Sequence, residues 1–314
     1  MNGRSHDLRN ADSPAVDFFG LLRVMNRNFL RQLRALLILG RVSNLPTVWS
    51  NCLAGWWLCG GGNYSNLPPL LLGISALYIG GMFLNDAFDV DFDRQYRPER
   101  PIPSGALSLS AVWGWGLAWL ALGALSLIAI GKTTGALAIV LLVCIIIYDA
   151  THKAITASPW LMGLCRFWIY VIAGSTASWG VNGWPIWCGL ALALYVAGLS
   201  HVARLENSRG RIPWWPLGLL AAPVILVMLM NAGGNRVPTI WLSLVLALWV
   251  ARCTWPIFQA GATNVGRIVS GLLAGIVFVD WLAVAPQLPH VLTATVFLPL
   301  FGLTLALQRF VPAT

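Results

Sequence analysis

Four aspartates, Asp86, Asp89, Asp91 and Asp93, crowd into the short run Asn85-Asp86-Ala87-Phe88-Asp89-Val90-Asp91-Phe92-Asp93. Asn85, Asp89 and Asp93 recur at i, i+4 and i+8, so on a helix their oxygens stand turn above turn on one face. Asp86 lies two turns from Asp93 on an adjoining face. A stack of hard oxygen donors suits Mg2+, which takes a few carboxylates and keeps open positions for phosphate oxygens. The spacing is not that of an EF-hand loop, which weighs against calcium. Asn85, Asp86, Asp89 and Asp93 are therefore the candidate metal ligands, and Asp91, which points off this face, is expected to be a solvated charge. The run continues Arg94-Gln95-Tyr96-Arg97-Pro98-Glu99-Arg100-Pro101-Ile102-Pro103-Ser104-Gly105. Its arginines can donate paired hydrogen bonds to phosphate. The prolines stiffen the loop and Gly105 permits a tight turn. The plainer alternative is that these arginines only set membrane orientation.

The elements that must carry this cluster are apolar. Charged residues make up 10% of the 314 and hydrophobic ones 58%, with a mean hydropathy of +0.72. Apolar runs of about 20 residues fit bilayer-spanning helices. They fall at 43–60, 68–88, 108–130, 134–150, 159–179, 184–203, 213–231, 238–256, 266–285 and 290–308. The expected fold is all-α, a polytopic transmembrane helical bundle of nine to ten spans around a central cavity. Residues 1–34 are expected to form a polar N-terminal arm. Its 1–17 part reads as an unstructured tail, and 18–34 as an interfacial amphipathic helix. Residues 35–314 then form the transmembrane domain.

Charge supports this count. Odd-numbered loops hold only Lys132 and Arg236, while even-numbered loops hold Arg94, Arg97, Arg100, Lys153, Arg204, Arg209, Arg211, Arg252 and Arg267. By the positive-inside rule both termini and the acidic loops are expected in the cytoplasm, at the inner membrane if the source is bacterial. The net charge of +9 is explained by this topology, and no aromatic-basic interleaving points to nucleic acid. Cys52, Cys59, Cys144, Cys165, Cys188 and Cys253 stand singly in or beside apolar runs. They read as small buried hydrophobes rather than disulfides or zinc ligands. The oligomeric state cannot be read from the sequence.

Asn85-Asp86-x-x-Asp89-x-x-x-Asp93 followed by Arg97-Pro98-x-Arg100-Pro101-x-Pro103-Ser104-Gly105 resembles the first aspartate-rich motif of the UbiA superfamily of intramembrane prenyltransferases. Tyr148-Asp149-Ala150-Thr151-His152-Lys153 is similar to the family's Tyr…Lys element. The resemblance implies that Mg2+ held by the aspartates binds a prenyl diphosphate. The diphosphate leaves, and a lipophilic acceptor, aromatic or other, captures the allylic cation. It further implies that Asp89, Asp93, Tyr148 and Lys153 are catalytic and that Asn85, Arg97, Arg100 and Lys153 contact the diphosphate. The lipid bilayer is the other implied partner.

The chain departs from the family after the sixth span. There the family has a second motif of the type D-x-x-D-x-x-x-D, and this chain reads Ser200-His201-Val202-Ala203-Arg204-Leu205-Glu206-Asn207-Ser208-Arg209-Gly210-Arg211. The acidic positions fall on Arg204, Asn207 and Arg211, with Glu206 nearby. Arg204 and Arg211 are expected to bind diphosphate in place of a second metal. His201, Glu206 and Asn207 join the substrate-binding set, His201 and Glu206 as a possible acceptor-side base. Asn51 is added because Asn44 and Asn51, spaced i, i+7, face one side of the first span. Arg166 and Asp280 lie inside apolar runs, where ionisable groups are costly unless paired, and a structural pair is expected. A terpene cyclase of the same superfamily, or a non-catalytic membrane scaffold, are the alternatives. A transporter is disfavoured because acids and bases gather on one face, and the D-G-x-x-A-R run expected of a CDP-alcohol phosphotransferase is absent.

Overall fold

The computed structural model describes residues 18–204, 214–230, 236–259 and 264–313, without the side chains of 18–28 and of Arg236. Every regular element among these residues is helical. An amphipathic helix, α1 (Phe18–Leu39), leads through a 3-10 turn (Val42–Asn44) into α2 (Leu45–Leu58). The acidic run joins α3 (Leu67–Phe88) to α4 (Val90–Tyr96). Then follow α5 (Leu109–Ile130), α6 (Lys132–Thr151), α7 (Ser158–Ser175) and α8 (Gly183–Arg204). Two short helices, α9 (Trp215–Leu219) and α10 (Ala222–Met230), precede α11 (Arg236–Thr254), α12 (Val265–Val284) and α13 (His290–Gln308). Helix starts follow local chemistry. Proline occupies the first turn of α2, α3 and α7, where its missing N–H costs nothing. Ser108 and Asn264 accept from Ala111 N and Arg267 N to cap α5 and α12, as short polar side chains do at helix N-termini.

Among the described residues, seven helices are long and apolar enough to cross a membrane: those at Tyr64–Phe88, Leu109–Ile130, Lys132–Thr151, Gly183–Arg204, Val237–Phe258, Val265–Val284 and His290–Gln308. The protein is thus an integral, multi-pass membrane bundle. The other three expected runs are helical but differ in form. At 14 residues, α2 is about 21 Å long, short of a hydrocarbon core of about 30 Å. The 18 residues of α7 include the buried Arg166. The run 213–231 is not one helix: it breaks between α9 and α10, because Pro223 has no N–H to donate and its ring collides with the carbonyl four residues back.

The centre is built on α12, whose apolar window is 72% buried, against 17% for α13 and 22% for the α11 window. The helices α2, α8 and α12 share one apolar core around Leu192, Tyr195, Leu272 and Ile276. A second core, around Val48, Ile74, Leu77, Leu120 and Leu127, joins α2 to α3 and α5. The α3–α5 contact is closest where glycines face each other. A methyl on Gly80 would lie 2.7 Å from Leu120 Cγ and 2.9 Å from Gly116 O, and one on Gly123 would lie 2.8 Å from Gly73 O. Small residues let membrane helices approach backbone to backbone. This approach fixes the helix whose last turn carries the acidic motif.

Between α2, α7 and α12 lies a buried polar network. Asp280 accepts from Tyr170 OH at 2.6 Å, from Asn51 Nδ2 at 2.9 and 2.7 Å, and from Ser50 Oγ. Arg166 donates to Asn51 Oδ1 at 2.7 Å and to Thr47 Oγ1 at 3.2 Å. Arg166 and Asp280 are therefore joined through Asn51 rather than as the direct pair expected from sequence. A neutral amide between them gives each charge a hydrogen bond inside the bundle, where a bare ionised group would be costly.

Candidate active site

The acidic run does not form one uninterrupted helix. Phe88 ends α3, Val90 starts α4, and Asp89 sits between them at φ −85°, ψ −1°. The backbone ladder nonetheless continues, with Asp89 N bonded to Asn85 O at 3.0 Å and Asp93 N to Asp89 O at 2.9 Å. Asn85, Asp86 and Asp93 are buried, and the expected face is retained through the junction. Asp91 points away: its side chain is 90% exposed and pairs only locally, with Arg94 at 3.1 Å. After α4 the chain turns at Gly105, whose φ of +73° is the left-handed conformation that glycine tolerates.

The carboxylates are met by cations from three directions. Arg100 Nη1 bridges Asp86 Oδ1 at 3.1 Å and Asp93 Oδ2 at 3.2 Å. Lys153 Nζ reaches Asp89 Oδ1 at 2.7 Å, and His152 Nε2 reaches the same oxygen at 3.2 Å. Arg41 Nη2 lies 3.5 Å from both Asn85 Oδ1 and Asp86 Oδ1. Burial would raise the Asp89 carboxyl, but His152 and Lys153 outweigh it and hold Asp89 below the usual carboxylate range. Asp93 moves the other way, pushed up by burial and by Asp86 and Asp89 against the pull of Arg100 and Arg97. The His152 imidazole loses affinity for its proton by burial and regains more from Asp89, so it ends above its ordinary value.

Tyr148, at the end of α6, stacks on the His152 ring with centroids 5.3 Å apart. Lys153 Nζ lies 4.4 Å from the centre of the Phe92 ring on α4, a cation-π distance. Arg97 stands half-buried in the turn after α4, its N–H on Asp93 O at 2.8 Å. The structure thus brings together Asn85, Asp86, Asp89, Asp93, Arg97, Arg100, Tyr148 and Lys153. It does not bring Asn51 to them: Asn51 is fully buried in the Asp280 network with both ends of its amide engaged. His201 stands among aromatic rings, 4.5 Å from Trp215 and 6.0 Å from Trp160, with Nδ1 on Ala197 O at 2.9 Å. Arg204 is turned to the loop between α6 and α7. Glu206, Asn207 and Arg211 lie outside the described residues.

Sequence reasoning missed three members of the cluster. Arg41 is the described non-glycine residue with positive φ, +43°, a conformation that costs about 1–3 kcal/mol and recurs at functional sites. Its signal was a lone arginine entering the first span on the acidic side. Asp149 accepts from Asn85 Nδ2 at 3.2 Å, and its Oδ2 is buried without a hydrogen-bond partner. His152 sat inside the quoted Tyr148–Lys153 motif without a role.

The residues fit a hard divalent cation by donor type, with carboxylates, an amide oxygen and one unsatisfied carboxylate oxygen at Asp149. Among the described residues no three acidic, histidine or cysteine side chains converge on one point, since each of Asp86, Asp89 and Asp93 is turned to a cation.

The UbiA prenyltransferase family model matches residues 45–212, more than half of the chain. The chain belongs to the UbiA prenyltransferase family. Over 124 residues it is 38% identical to the digeranylgeranylglyceryl phosphate synthase of Ignicoccus hospitalis, a stretch covering 39% of this chain and 40% of that protein. Over 122 residues it is 34% identical to the synthase of the same name from Methanothrix thermoacetophila, covering 38% and 46%. The chain thus spans less than half the length of these curated relatives. Among solved structures, a UbiA homologue from Archaeoglobus fulgidus bound to DMAPP and Mg2+ superposes with a TM-score of 0.52 at 15% identity, over 88% of this chain and 99% of that one. A digeranylgeranylglyceryl phosphate synthase structure superposes with a TM-score of 0.51 at 18% identity, over 90% and 98%. At those identities the superpositions establish the UbiA fold. The matched segment contains the acidic run, the Tyr148–Lys153 element and Arg204.

Proposed function

We propose that this UbiA protein is a Mg2+-dependent intramembrane prenyltransferase that moves a prenyl group from a prenyl diphosphate to a lipophilic acceptor. The observation that carries the reading is the interleaving of Asp86, Asp89 and Asp93 with Arg41, Arg100 and Lys153 at one end of an apolar bundle. A diphosphate with a divalent cation would divide that set cleanly, carboxylates to the metal and cations to the phosphate. The relatives named for digeranylgeranylglyceryl phosphate favour an isoprenoid donor and a lipophilic acceptor.

In this reading Asn85, Asp86, Asp89 and Asp93 would hold Mg2+, and the metal would supply positive charge against the leaving diphosphate. Lys153, Arg97, Arg100 and Arg41 hold diphosphate oxygens by charge-assisted hydrogen bonds. The allylic C–O bond breaks with its electron pair going to the diphosphate. The acceptor's nucleophilic atom then bonds to the allylic carbon and gives up its proton to the released diphosphate. Tyr148, stacked on His152, orients the side chain beside Lys153. The apolar bundle keeps water from the cation, a role suited to a site closed off from solvent. The N-terminus and the acidic end face the cytoplasm, and residues 35–314 make up the catalytic domain.

Purified protein is incubated with labelled prenyl diphosphates of several lengths, with and without Mg2+, and diphosphate release is measured with and without a lipid acceptor. Release that needs Mg2+, is lost in Asp89→Ala and survives in Asp91→Asn is expected. Folded protein that releases diphosphate from no donor rejects the reading, and release without any acceptor turns it toward cyclisation. Orientation is checked with Glu99→Cys and Tyr64→Cys. An impermeant maleimide should label the second but not the first in intact cells, and the reverse pattern rejects the assignment.

A further inference from the structure

The loop between α6 and α7 is the weakest piece of the cluster by construction. Lys153 to Ala157 are all exposed, and the residues that begin this loop, His152 and Lys153, are the two that reach Asp89. Exposed segments with few buried contacts open at low cost. Yet this one is tied at four points by one side chain from another helix. Arg204, the last residue of α8, donates through Nη1 to Thr156 O at 2.7 Å. Through Nη2 it donates to His152 O at 3.2 Å, Ile155 O at 3.0 Å and Ser158 Oγ. Ser158 Oγ in turn donates to His152 O at 3.1 Å. The acceptors are three carbonyls and a hydroxyl, a set only a donor can serve. A guanidinium offers five N–H donors in a fixed fork and no acceptor. A carboxylate at the same place would face carbonyl oxygens. The positive charge also stands at the C-terminus of α8, where it offsets the helix dipole.

We infer that Arg204 is a positioning residue: it straps the α6–α7 loop and so holds His152 and Lys153 against Asp89, instead of contacting diphosphate itself. This rests on the prenyl-transfer reading for its catalytic consequence but not for its structural one. Arg204 then secures the first acidic site from behind.

Two measurements on the full-length protein test it. The first is amide hydrogen exchange without substrate. The N–H groups of Ala154 and Ile155, both bonded to Thr151 O, and of Ser158, bonded to Ile155 O, should exchange at least about tenfold faster in Arg204→Ala, since hydrogen bonds from a charged donor are lost. Exchange in α12 should not change. The second is the donor KM in Arg204→Ala, in His152→Ala/Lys153→Ala and in the triple variant. If Arg204 acts through those two residues, its loss raises KM about tenfold in the wild-type background and less than about twofold in the double variant, the non-additivity expected of linked residues. Unchanged exchange in the loop, or equal increases in the two backgrounds, overturns the strap; equal increases would mark a direct diphosphate contact. If Arg204→Ala does not fold, Arg204→Gln, which keeps two N–H donors and no charge, takes its place with the same two outcomes. If the unmodified protein releases diphosphate from no donor, the reaction reading fails while the exchange result still decides the strap.

Discussion

At the scale of single residues, the site is held by cations that serve two duties. Arg100, Lys153 and Arg41 neutralise carboxylates that would otherwise repel one another. On the proposed reading, a divalent cation would take over the carboxylates and free the same groups for an anionic ligand. Arg41 separates these duties most cleanly, because its backbone is strained as well as its side chain placed. Its φ of +43° is relieved by glycine, which accepts left-handed geometry without steric cost. Arg41→Gly should therefore raise the thermal unfolding midpoint or leave it unchanged, while the donor KM rises about 10- to 100-fold, the worth of hydrogen bonds to a charged partner. A fall in stability with an unaltered KM would show that the guanidinium is structural.

At the scale of helices, the α3–α5 contact sets where the acidic run emerges. A methyl added at Gly123 meets the backbone at Gly73 O, 2.8 Å away, and Leu77 Cγ at 2.7 Å. A backbone atom cannot turn aside as a side chain does, so Gly123→Ala is expected to cost about 1–3 kcal/mol, the range for overpacking. Unfolding of the detergent-solubilised variant measures this, and an unchanged midpoint would contradict the close packing. Helix positions were legible in the sequence because apolar run length and turn residues report directly on them. The break between α9 and α10 was hidden inside a continuous apolar run, although Pro223 marked it. The acidic face was legible because its members are close in sequence and share one helical period. Arg41 and Asp149 were not, since they reach Asn85 and Asp86 across 44–64 residues of chain. Asn51 was misplaced for a related reason. Periodicity says which residues share a face, but not that α12 would put Asp280 opposite that face and consume the amide.

At the scale of the whole molecule, one polar knot ties three helices together. Asp280 from α12 meets Ser50 and Asn51 from α2 and Tyr170 from α7. Asp280→Ala would leave the Ser50, Asn51 and Tyr170 donors without their shared acceptor and strip the Asn51 amide that carries Arg166 of its far partner, a loss of about 3–5 kcal/mol by analogy with broken buried charge networks. Denaturant unfolding in detergent checks the size, and a loss under about 1 kcal/mol would show that the knot is not structural. The glycine contact between α3 and α5 has a mechanical meaning at this scale. Two helices that approach backbone to backbone, with leucines such as Leu77 and Leu120 already wedged against the facing glycines, form a stiff jaw. On the proposed reading, the widening that a long lipid tail needs is expected instead at α11 and α13, the spans covered least by protein.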